Sequence, residues 1–352
     1  MRRGVRGLRQ IARWPRNRPG QRVLILLYHR VAELRLDPWF LSVTPRNFAE
    51  HLEVLQRYAH PISLQRLFQG LLEGGLPERA VAVTFDDGYA DNLHDAKPLL
   101  ARYEVPATVF LATGYIGHER EFWWDELERL LLQPGALPEV LRLKIAGRTY
   151  QWELGEAAYS GEDATRRRRR WRAWGEGAPN SRRHLYFSLW ELLYPLAEVE
   201  RQESLYALRE WADAELVVRP THRPLSLQEV VALRQGELIE VGAHTVTHPA
   251  LATLPIASQQ NEILESKARL EEILGRRVSA FSYPHSSLSA ETVVIVRKAG
   301  FACACTAFAS RVGRPADLFR LPREHVQDWD GREFTRRLIR WFEHKSAALY
   351  SN

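Results

Sequence analysis

The chain has 352 residues, of which 45% are hydrophobic and 26% charged, a composition typical of a soluble globular protein rather than a disordered or fibrous one. Its 49 basic and 43 acidic residues leave a net charge of +6, with basic clusters at residues 1–6 and 166–172. Such clusters most often form solvated surfaces, and since no nucleic-acid-binding signature accompanies them, we expect no nucleic-acid partner.

Residues 1–20 predict a basic, proline-broken arm that contributes little to a core. The arm lacks the apolar stretch and small-residue cleavage site of a signal peptide, and no segment is long and apolar enough for a transmembrane helix. We therefore expect a cytoplasmic or membrane-peripheral protein, in which the arm could contact an anionic membrane surface.

Residues 21–120 alternate between apolar runs and amphipathic segments. The continuously apolar run at 23–28 predicts a strand buried on both faces, and it ends at His29, where barrel enzymes place reactive groups. A single histidine at such a position is equally often structural. Further strands are predicted at 81–85 and 106–111, with helices between them. This alternation predicts an α/β fold with a parallel sheet and right-handed crossovers.

Two adjacent carboxylates, Asp86 and Asp87, follow the second of these strands and precede a glycine. Neighbouring carboxylates repel each other, so one of them must be neutralised by a cation or a proton. The pair therefore predicts a divalent metal site or a carboxyl with a raised pKa. An Asp-Asp-Gly turn that merely closes a strand is an equally common alternative.

The alternation stops between residues 121 and 220. Seven tryptophans fall in this stretch, which predicts a mainly helical insertion with one hairpin around Ala146 and Gly147. Trp-rich helical segments usually just pack, but exposed tryptophans stack on sugar rings. Trp123 and Trp124, which lie nearest to the barrel, are the candidate glycan contacts.

Residues 221–346 return to the alternating pattern and contribute two histidines, His244 and His248, after a strand at 238–242. Their spacing of four lets both imidazoles face one ion. Together with one carboxylate they would make three protein ligands and leave open positions for water, which is the ligand count of a hydrolytic zinc site.

The remaining predicted elements are strands near 280–283, 302–305 and 319–321 and an amphipathic helix at 334–342. Cys303 and Cys305 alternate on one of these strands, where a disulfide between them would be strained. We expect them to be buried thiols, as in a reducing compartment.

Together these motifs make the chain resemble the polysaccharide deacetylases of the NodB-homology type, called carbohydrate esterase family 4. The matching stretches are TFDDGY at 84–89, HTVTHP at 244–249 and FSYPH at 281–285. LYH at 27–29 is similar to the family's Leu-x-His motif, in the N-terminal position found in circularly permuted poly-N-acetylglucosamine deacetylases. The resemblance covers most of the chain outside 121–220. It implies a distorted (β/α)7 barrel with a helical insertion.

The resemblance implies that Asp87, His244 and His248 hold a divalent metal, zinc in the first place, with cobalt, nickel or manganese as alternatives. Asp86 would be the catalytic base. The implied reaction is hydrolysis of N-acetyl groups in an N-acetylhexosamine-containing glycan or lipid-linked glycan, with release of acetate.

His29 is the proton donor that the resemblance implies, and His285 and His325 are the alternatives. A donor must carry a proton near neutral pH, so we expect a nearby carboxylate to raise the pKa of His29 above ~6.5.

The third motif departs from the family pattern at two positions. Ser282 stands where the family has an arginine, and Arg323 is a substitute partner for Asp86. His285 replaces an aromatic residue, and a backbone N–H near it is expected to share the developing oxyanion. Tyr283, His285 and Arg323 are therefore the candidate contacts with oxyanion or substrate.

Two other functions remain open at this point. The same metal site could hydrolyse O-acetyl esters on a glycan, or the chain could be a non-catalytic glycan-binding barrel. The intact set of motif residues argues against the second alternative, because a degenerate relative is expected to lose metal ligands first.

Overall fold

The computed structural model of the chain describes residues 23–161, 181–308, 312 and 316–343. The predicted arm at 1–20 and the basic cluster at 166–172 lie outside the described residues. No helix within the described ranges is long and apolar enough to cross a membrane.

The described residues form fourteen strands, and the main sheet is wholly parallel. The strands are β1 (Val23–Tyr28), β2 (Arg30–Val31), β3 (Ser42–Val43), β4 (His60–Pro61), β5 (Ala80–Phe85), β6 (Ala107–Leu111), β7 (Gly135–Ala136), β8 (Val140–Ile145), β9 (Arg148–Glu153), β10 (Tyr159–Ser160), β11 (Ile239–Ala243), β12 (Ala280–Ser282), β13 (Cys303–Cys305) and β14 (Glu324–His325). Seven of them form one ladder in the order β13-β12-β11-β6-β5-β1-β14, and β4 pairs alongside β5. This arrangement confirms the predicted parallel α/β sheet, which with β4 has eight strands rather than the seven predicted.

The closing segment, residues 318–325, links the two ends of this sheet. Leu321 forms a parallel bridge with Cys305 of β13, and four residues later His325 pairs with Leu27 of β1. The strand predicted at 319–321 is wrong in position. Residues 317–320 form a turn closed by the bond from Arg320 N to Asp317 O, so the regular pairing begins after it, at β14.

Helices surround the sheet, and the described residues form ten α-helices. They are α1 (Pro45–Tyr58), α2 (Leu64–Glu73), α3 (Lys97–Arg102), α4 (Trp123–Leu132), α5 (Arg182–Leu193), α6 (Glu198–Trp211), α7 (Leu227–Arg234), α8 (Ile256–Leu274), α9 (Ala290–Lys298) and α10 (Gly331–Glu343). Ser226 and Glu229 form a capping box at the start of α7, and Gly275 ends α8 in the left-handed conformation. The predicted final amphipathic helix corresponds to α10.

Alternate residues of the strands enter two different cores, which is why the strand sequences are continuously apolar. Leu24 and Leu26 of β1 pack in the core that includes Phe48 of α1, whereas Val23 and Ile25 pack in the core that includes α2. Cys303 and Cys305 belong to this second core as free, buried thiols, which confirms that prediction.

The predicted insertion contributes α4, α5, α6 and the β8–β9 hairpin to a third core. Its buried residues pack against Tyr89, Ala112 and Tyr115, which follow β5 and β6. The two ends of the insertion are tied together, because Arg219 donates from its backbone and side chain to Glu121 at 2.7–2.9 Å. This contact fits the predicted boundaries at 121 and 220, which stay a prediction.

Candidate active site

The exits of the parallel strands bring the motif residues to one edge of the sheet. Asp86 and Asp87 follow β5, His244 follows β11 and His29 follows β1, while Arg323 immediately precedes β14. Because the carboxyl ends of parallel strands lie at the same edge, residues that are far apart in sequence meet there.

A buried group of three side chains has the geometry of a metal site. Asp87, His244 and His248 each place one ligand atom within 4.8 Å of the others. The Nε2 atoms of His244 and His248 lie 3.6 Å and 3.2 Å from Asp87 Oδ1. His244 Nδ1 is 2.8 Å from the carbonyl oxygen of Ser282, and donation to that oxygen leaves the Nε2 lone pair facing Asp87. Two imidazoles and one carboxylate therefore fit a divalent metal such as zinc.

The loop that carries the two histidines is held by an acidic residue of α8. Thr245 and His248 have left-handed φ angles of 66° and 57°, a conformation that costs a non-glycine residue about 1 kcal/mol or more. Glu262 Oε2 accepts the backbone N–H groups of Val246 and Thr247 at 2.7 Å and 2.9 Å, and its Oε1 accepts the Thr247 hydroxyl at 2.6 Å. These bonds offset the strain and fix the spacing of the ligands.

On its other side the loop contacts the chain after β6. Thr113 N–H and Gly114 N–H donate to the carbonyl oxygens of Thr245 and Val246 at 3.0 Å and 2.8 Å. A Cβ atom at Gly114 would lie 2.7 Å from the Val246 oxygen, so this approach requires glycine. The role of Glu262 was not predicted from the sequence. The only sequence feature that points to it is the position of an acidic side chain next to the buried residues of α8.

Asp86 is held in a bidentate ion pair. Arg323 Nη1 donates to Oδ1 at 2.7 Å and Nη2 to Oδ2 at 2.6 Å, and Ser282 Oγ donates to Oδ2 at 3.1 Å. The predicted pairing of Arg323 with Asp86 is confirmed. Arg323 is fully buried in this pair, however, and therefore has no surface for a direct contact with substrate.

The two neighbouring carboxyls differ in acidity because their partners differ. Burial acts to raise the pKa of Asp86, but Arg323 and His244 more than offset it and hold the pKa well below its usual range. Burial also raises the pKa of Asp87, and there the imidazoles of His29 and His244 do not offset it. Asp86 is therefore ionised but weakly basic, whereas a cation beside Asp87 would act against the effect of burial and lower the pKa of that carboxyl.

His29 follows β1 at the same edge of the sheet, and the charges of Asp87 and Asp86 act to raise the pKa of its ring. The expectation that a carboxylate raises its pKa is wrong. Burial lowers the pKa of His29 to about 4, and the attraction of Asp87 offsets only part of this effect. The ring of His325 lies edge-on at 5.3 Å, and burial lowers the pKa of this histidine to about 4 as well.

Tyr283 was expected to contact the oxyanion or the substrate, but its side chain has other partners. Its side chain packs in the core, and its hydroxyl donates to the carbonyl oxygen of Phe319 at 3.0 Å. Its backbone N–H donates to Cys305 O. His285, by contrast, is exposed at the site with a left-handed φ of 54°, and its ring lies 4.5 Å from that of His248.

The two candidate tryptophans occupy different environments. Trp123 is fully buried beneath Trp190 and Arg201, so it offers no exposed face to a glycan. Trp124 is 5% exposed and its ring lies 4.7 Å from His248, a metal-ligand candidate. Its Nε1 donates to the Tyr89 hydroxyl at 2.8 Å. Trp124 is thus a wall of the site.

A family model described as polysaccharide deacetylase matches residues 73–136 and 190–304. Among curated proteins, Bacillus subtilis YxkH is 28% identical over 152 residues, which cover 42% of this chain and 53% of that protein. A Staphylococcus aureus poly-beta-1,6-N-acetyl-D-glucosamine N-deacetylase is 29% identical over 109 residues, 27% of this chain and 38% of that protein. The match thus spans about half of the first relative and less of the second.

Two solved structures share the fold. Streptococcus pyogenes deacetylase PplD in complex with acetate has a TM-score of 0.56 and 16% identity, and the match covers 93% of this chain and all of that one. IcaB from Ammonifex degensii has a TM-score of 0.55 and 19% identity, with 92% and 98% of the two chains covered. At these identities the likeness supports the barrel alone, and it confirms the fold class that was predicted.

Proposed function

Because the chain belongs to the polysaccharide deacetylase family, whose model matches about half of it, we propose that it is a metal-dependent carbohydrate N-deacetylase. Its substrate would be an N-acetylhexosamine-containing glycan or glycolipid, from which it releases acetate. The observation that carries this proposal is the buried triad of Asp87, His244 and His248 next to the ionised carboxylate of Asp86.

The triad would hold the divalent metal, with zinc as the first choice and cobalt, nickel or manganese as alternatives. Such a metal, when bound, polarises a carbonyl oxygen and lowers the pKa of a water molecule. Asp86 Oδ2 lies 3.8 Å from His244 Nε2, so this carboxylate lies beside the place where the metal would be bound and would be the proton acceptor. Arg323 and Ser282 fix the plane of this carboxylate.

Two further groups would act on the acetamide itself. The backbone N–H of His285 would donate to the developing oxyanion, and His29 would donate a proton to the leaving nitrogen. Since burial keeps His29 neutral near pH 7, the ring can act as an acid only after taking up a proton during turnover. His325 and the His285 side chain are the alternative donors.

The main alternative is hydrolysis of O-acetyl esters, because the same groups suit an ester, whose leaving oxygen needs less help from an acid. A non-catalytic glycan-binding barrel is disfavoured by the complete ligand set and by the bidentate Arg323 pair that orients Asp86.

Acetate release tests the proposal. We expect a purified chain to release acetate from a pentamer of N-acetylglucosamine, to lose this activity with a chelator and to recover it with zinc. Asp86→Asn should retain the metal and lose activity by about 10²- to 10⁴-fold, the usual contribution of a positioned proton acceptor. Release from acetylated xylan alone would identify an esterase, and glycan binding without any release would identify a non-catalytic barrel.

We also propose that the basic arm at 1–20 contacts anionic membrane surfaces, on the basis of its charge. Cosedimentation of the full chain, and of a chain without the arm, with phosphatidylglycerol vesicles tests this contact. Equal binding of the two chains would contradict it.

A further inference from the structure

The two histidines of the triad differ in what their second ring nitrogen contacts. His244 Nδ1 lies 2.8 Å from the carbonyl oxygen of Ser282, which orients its ring. His248 Nδ1 is buried and has no hydrogen-bond partner among the described residues. A histidine that binds a metal through Nε2 almost always donates its Nδ1–H to an acceptor, which fixes the ring and makes the nitrogen a better ligand. One of the two histidine ligands therefore lacks a contact that the other one has.

Three rings surround His248, and only one of them can serve as this acceptor. Trp124, at 4.7 Å, has no acceptor atom, and its Nε1 donates to the Tyr89 hydroxyl. The ring of His244, at 4.8 Å, has other partners for both of its nitrogens. The ring of His285 lies closest, at 4.5 Å, and a neutral imidazole has one acceptor nitrogen.

The geometry of the pair leaves this hydrogen bond one rotation away. The rings of His248 and His285 meet at an angle of 77° between their planes. The His285 side chain is exposed, so it has room to turn a ring nitrogen toward His248. At this separation of the rings, such a turn is enough, because the two nitrogens of an N–H···N bond lie about 3 Å apart.

The backbone at His285 is held in a conformation that costs free energy. His285 and Ser286 have left-handed φ angles of 54° and 55°, which a non-glycine residue keeps only where its surroundings impose them. Ser286 Oγ accepts the backbone N–H of Ala307, which follows β13, and Ser287 is hydrogen-bonded to Tyr194 at the end of α5. The barrel and the insertion thus both fix the turn that holds the ring of His285 at the triad.

We propose that His285 is a positioning residue for the metal, whose ring accepts the Nδ1–H of His248 when the metal is bound through His248 Nε2. This inference rests on the proposed function, which supplies the metal, and deepens it by assigning the outer partner of the second histidine ligand. The role differs from that of a proton donor, because it changes the affinity for the metal in the absence of any substrate.

The first test measures zinc affinity by competition with a zinc-sensitive dye. We expect His285→Phe, which keeps an aromatic ring and removes the acceptor, to weaken zinc affinity about 10- to 100-fold. The amide oxygen of His285→Asn can replace Nδ1 of the imidazole and that of His285→Gln can replace Nε2, so at least one of these variants should recover most of the affinity. His184→Phe makes the same change at an exposed histidine of α5 and is the matched control, which should leave the affinity unchanged.

Two results of this test would overturn the proposal. The first is a wild-type zinc affinity in His285→Phe. The second is an equal loss in all three variants of His285, because that loss would come from packing or from the strained turn and not from the missing acceptor.

The second test detects the hydrogen bond itself in the zinc-loaded wild type. With ¹⁵N-labelled histidine, we expect a slowly exchanging His248 Nδ1–H signal and a scalar coupling from this nitrogen to a ring nitrogen of His285. Both should disappear in His285→Phe, while the Nδ1–H signal of His244 remains. A His248 signal that is unchanged in His285→Phe would show that another acceptor, such as water, takes this proton, and would overturn the proposal.

Neither measurement depends on turnover, so the inference and the proposed function can fail separately. Zinc affinities that follow the expected order, without acetate release from any substrate, would leave the role of His285 standing and overturn the deacetylase assignment. Acetate release together with a zinc affinity that His285→Phe does not change would do the reverse.

Discussion

Arg323 and Asp86 are both buried and form an ion pair, so each charge is stabilised by the other. We expect Arg323→Ala to destabilise the protein by about 3–5 kcal/mol, because it leaves an uncompensated carboxylate in the interior. Urea unfolding measures this loss.

The double variant Arg323→Ala with Asp86→Asn should recover part of that stability, because the second change removes the stranded charge. It should not recover deacetylation. If the double variant is no more stable than Arg323→Ala alone, the loss comes from packing and not from the charge pair.

Removing any one of the three ligand candidates should abolish metal retention. Asp87→Ala, His244→Ala and His248→Ala change side chains at strand exits, so the sheet should still form. Elemental analysis of the purified variants, with circular dichroism as a control for folding, checks this expectation. A wild-type metal content in all three variants would contradict the site assignment.

Asp125 should make stability depend on pH. Burial raises the pKa of Asp125 to about 7, although Arg30 and the hydrogen bond from Tyr89 act to lower it, as does Arg219, while Glu121 acts to raise it. An unfolded aspartate titrates near ~3.9, so the folded state holds an extra proton between these pH values and loses stability as the pH rises through them.

Asp125→Asn keeps an acceptor for the Tyr89 hydroxyl and removes the titration. We expect it to stabilise the protein by about 2–4 kcal/mol at pH 8 and by little at pH 4. Denaturant unfolding at the two pH values gives the difference, and an equal effect at both would contradict the assignment.

Sequence motifs identified the side chains that meet at the site but not the surroundings that set their properties. The pairing of Arg323 with Asp86 was predictable because Ser282 left a charge without its usual partner. The lowered pKa of His29 was not, because it depends on burial, which no local sequence pattern reports. For the same reason the packing of Trp123 and Tyr283 was missed.

At the level of elements, the loop 244–248 is positioned by helix α8 rather than by its own sequence. Glu262→Ala should weaken zinc affinity about 10- to 100-fold, the usual effect of losing an outer-shell partner. The exposed Glu265 on the same helix provides the matched control, Glu265→Ala, which should leave zinc affinity unchanged. Competition with a zinc-sensitive dye measures both. Equal affinities would show that the loop holds its shape without Glu262.

Strands were predictable where the chain is apolar without interruption, as in β1, β5 and β6, because a strand covered on both faces has no polar positions. The strand β14 was placed too early because its two residues, Glu324 and His325, are polar and half-buried. Its identity depends on pairing with β1, which is a contact between distant parts of the sequence.

For the whole molecule, the insertion and the barrel share a boundary at which the candidate metal site and Trp124 lie. The composition of 121–220 predicted a mainly helical insertion, and its buried residues pack in one cluster with Tyr89, Ala112 and Tyr115. What composition could not predict is that α5 contributes to the rim of the site, because that depends on how the insertion folds back onto the barrel.

The closing segment has a consequence for the order in which the protein can mature during synthesis. Asp86 and Arg323 are 237 residues apart, and the segment that delivers Arg323 also completes the sheet against β1. A nascent chain that has released both aspartates from the ribosome still lacks the guanidinium that keeps Asp86 ionised. Until residues 324–325 have been synthesised, the edge of β1 that pairs with β14 has no partner strand. The ion pair that keeps Asp86 ionised therefore forms together with the pairing of β14 on β1.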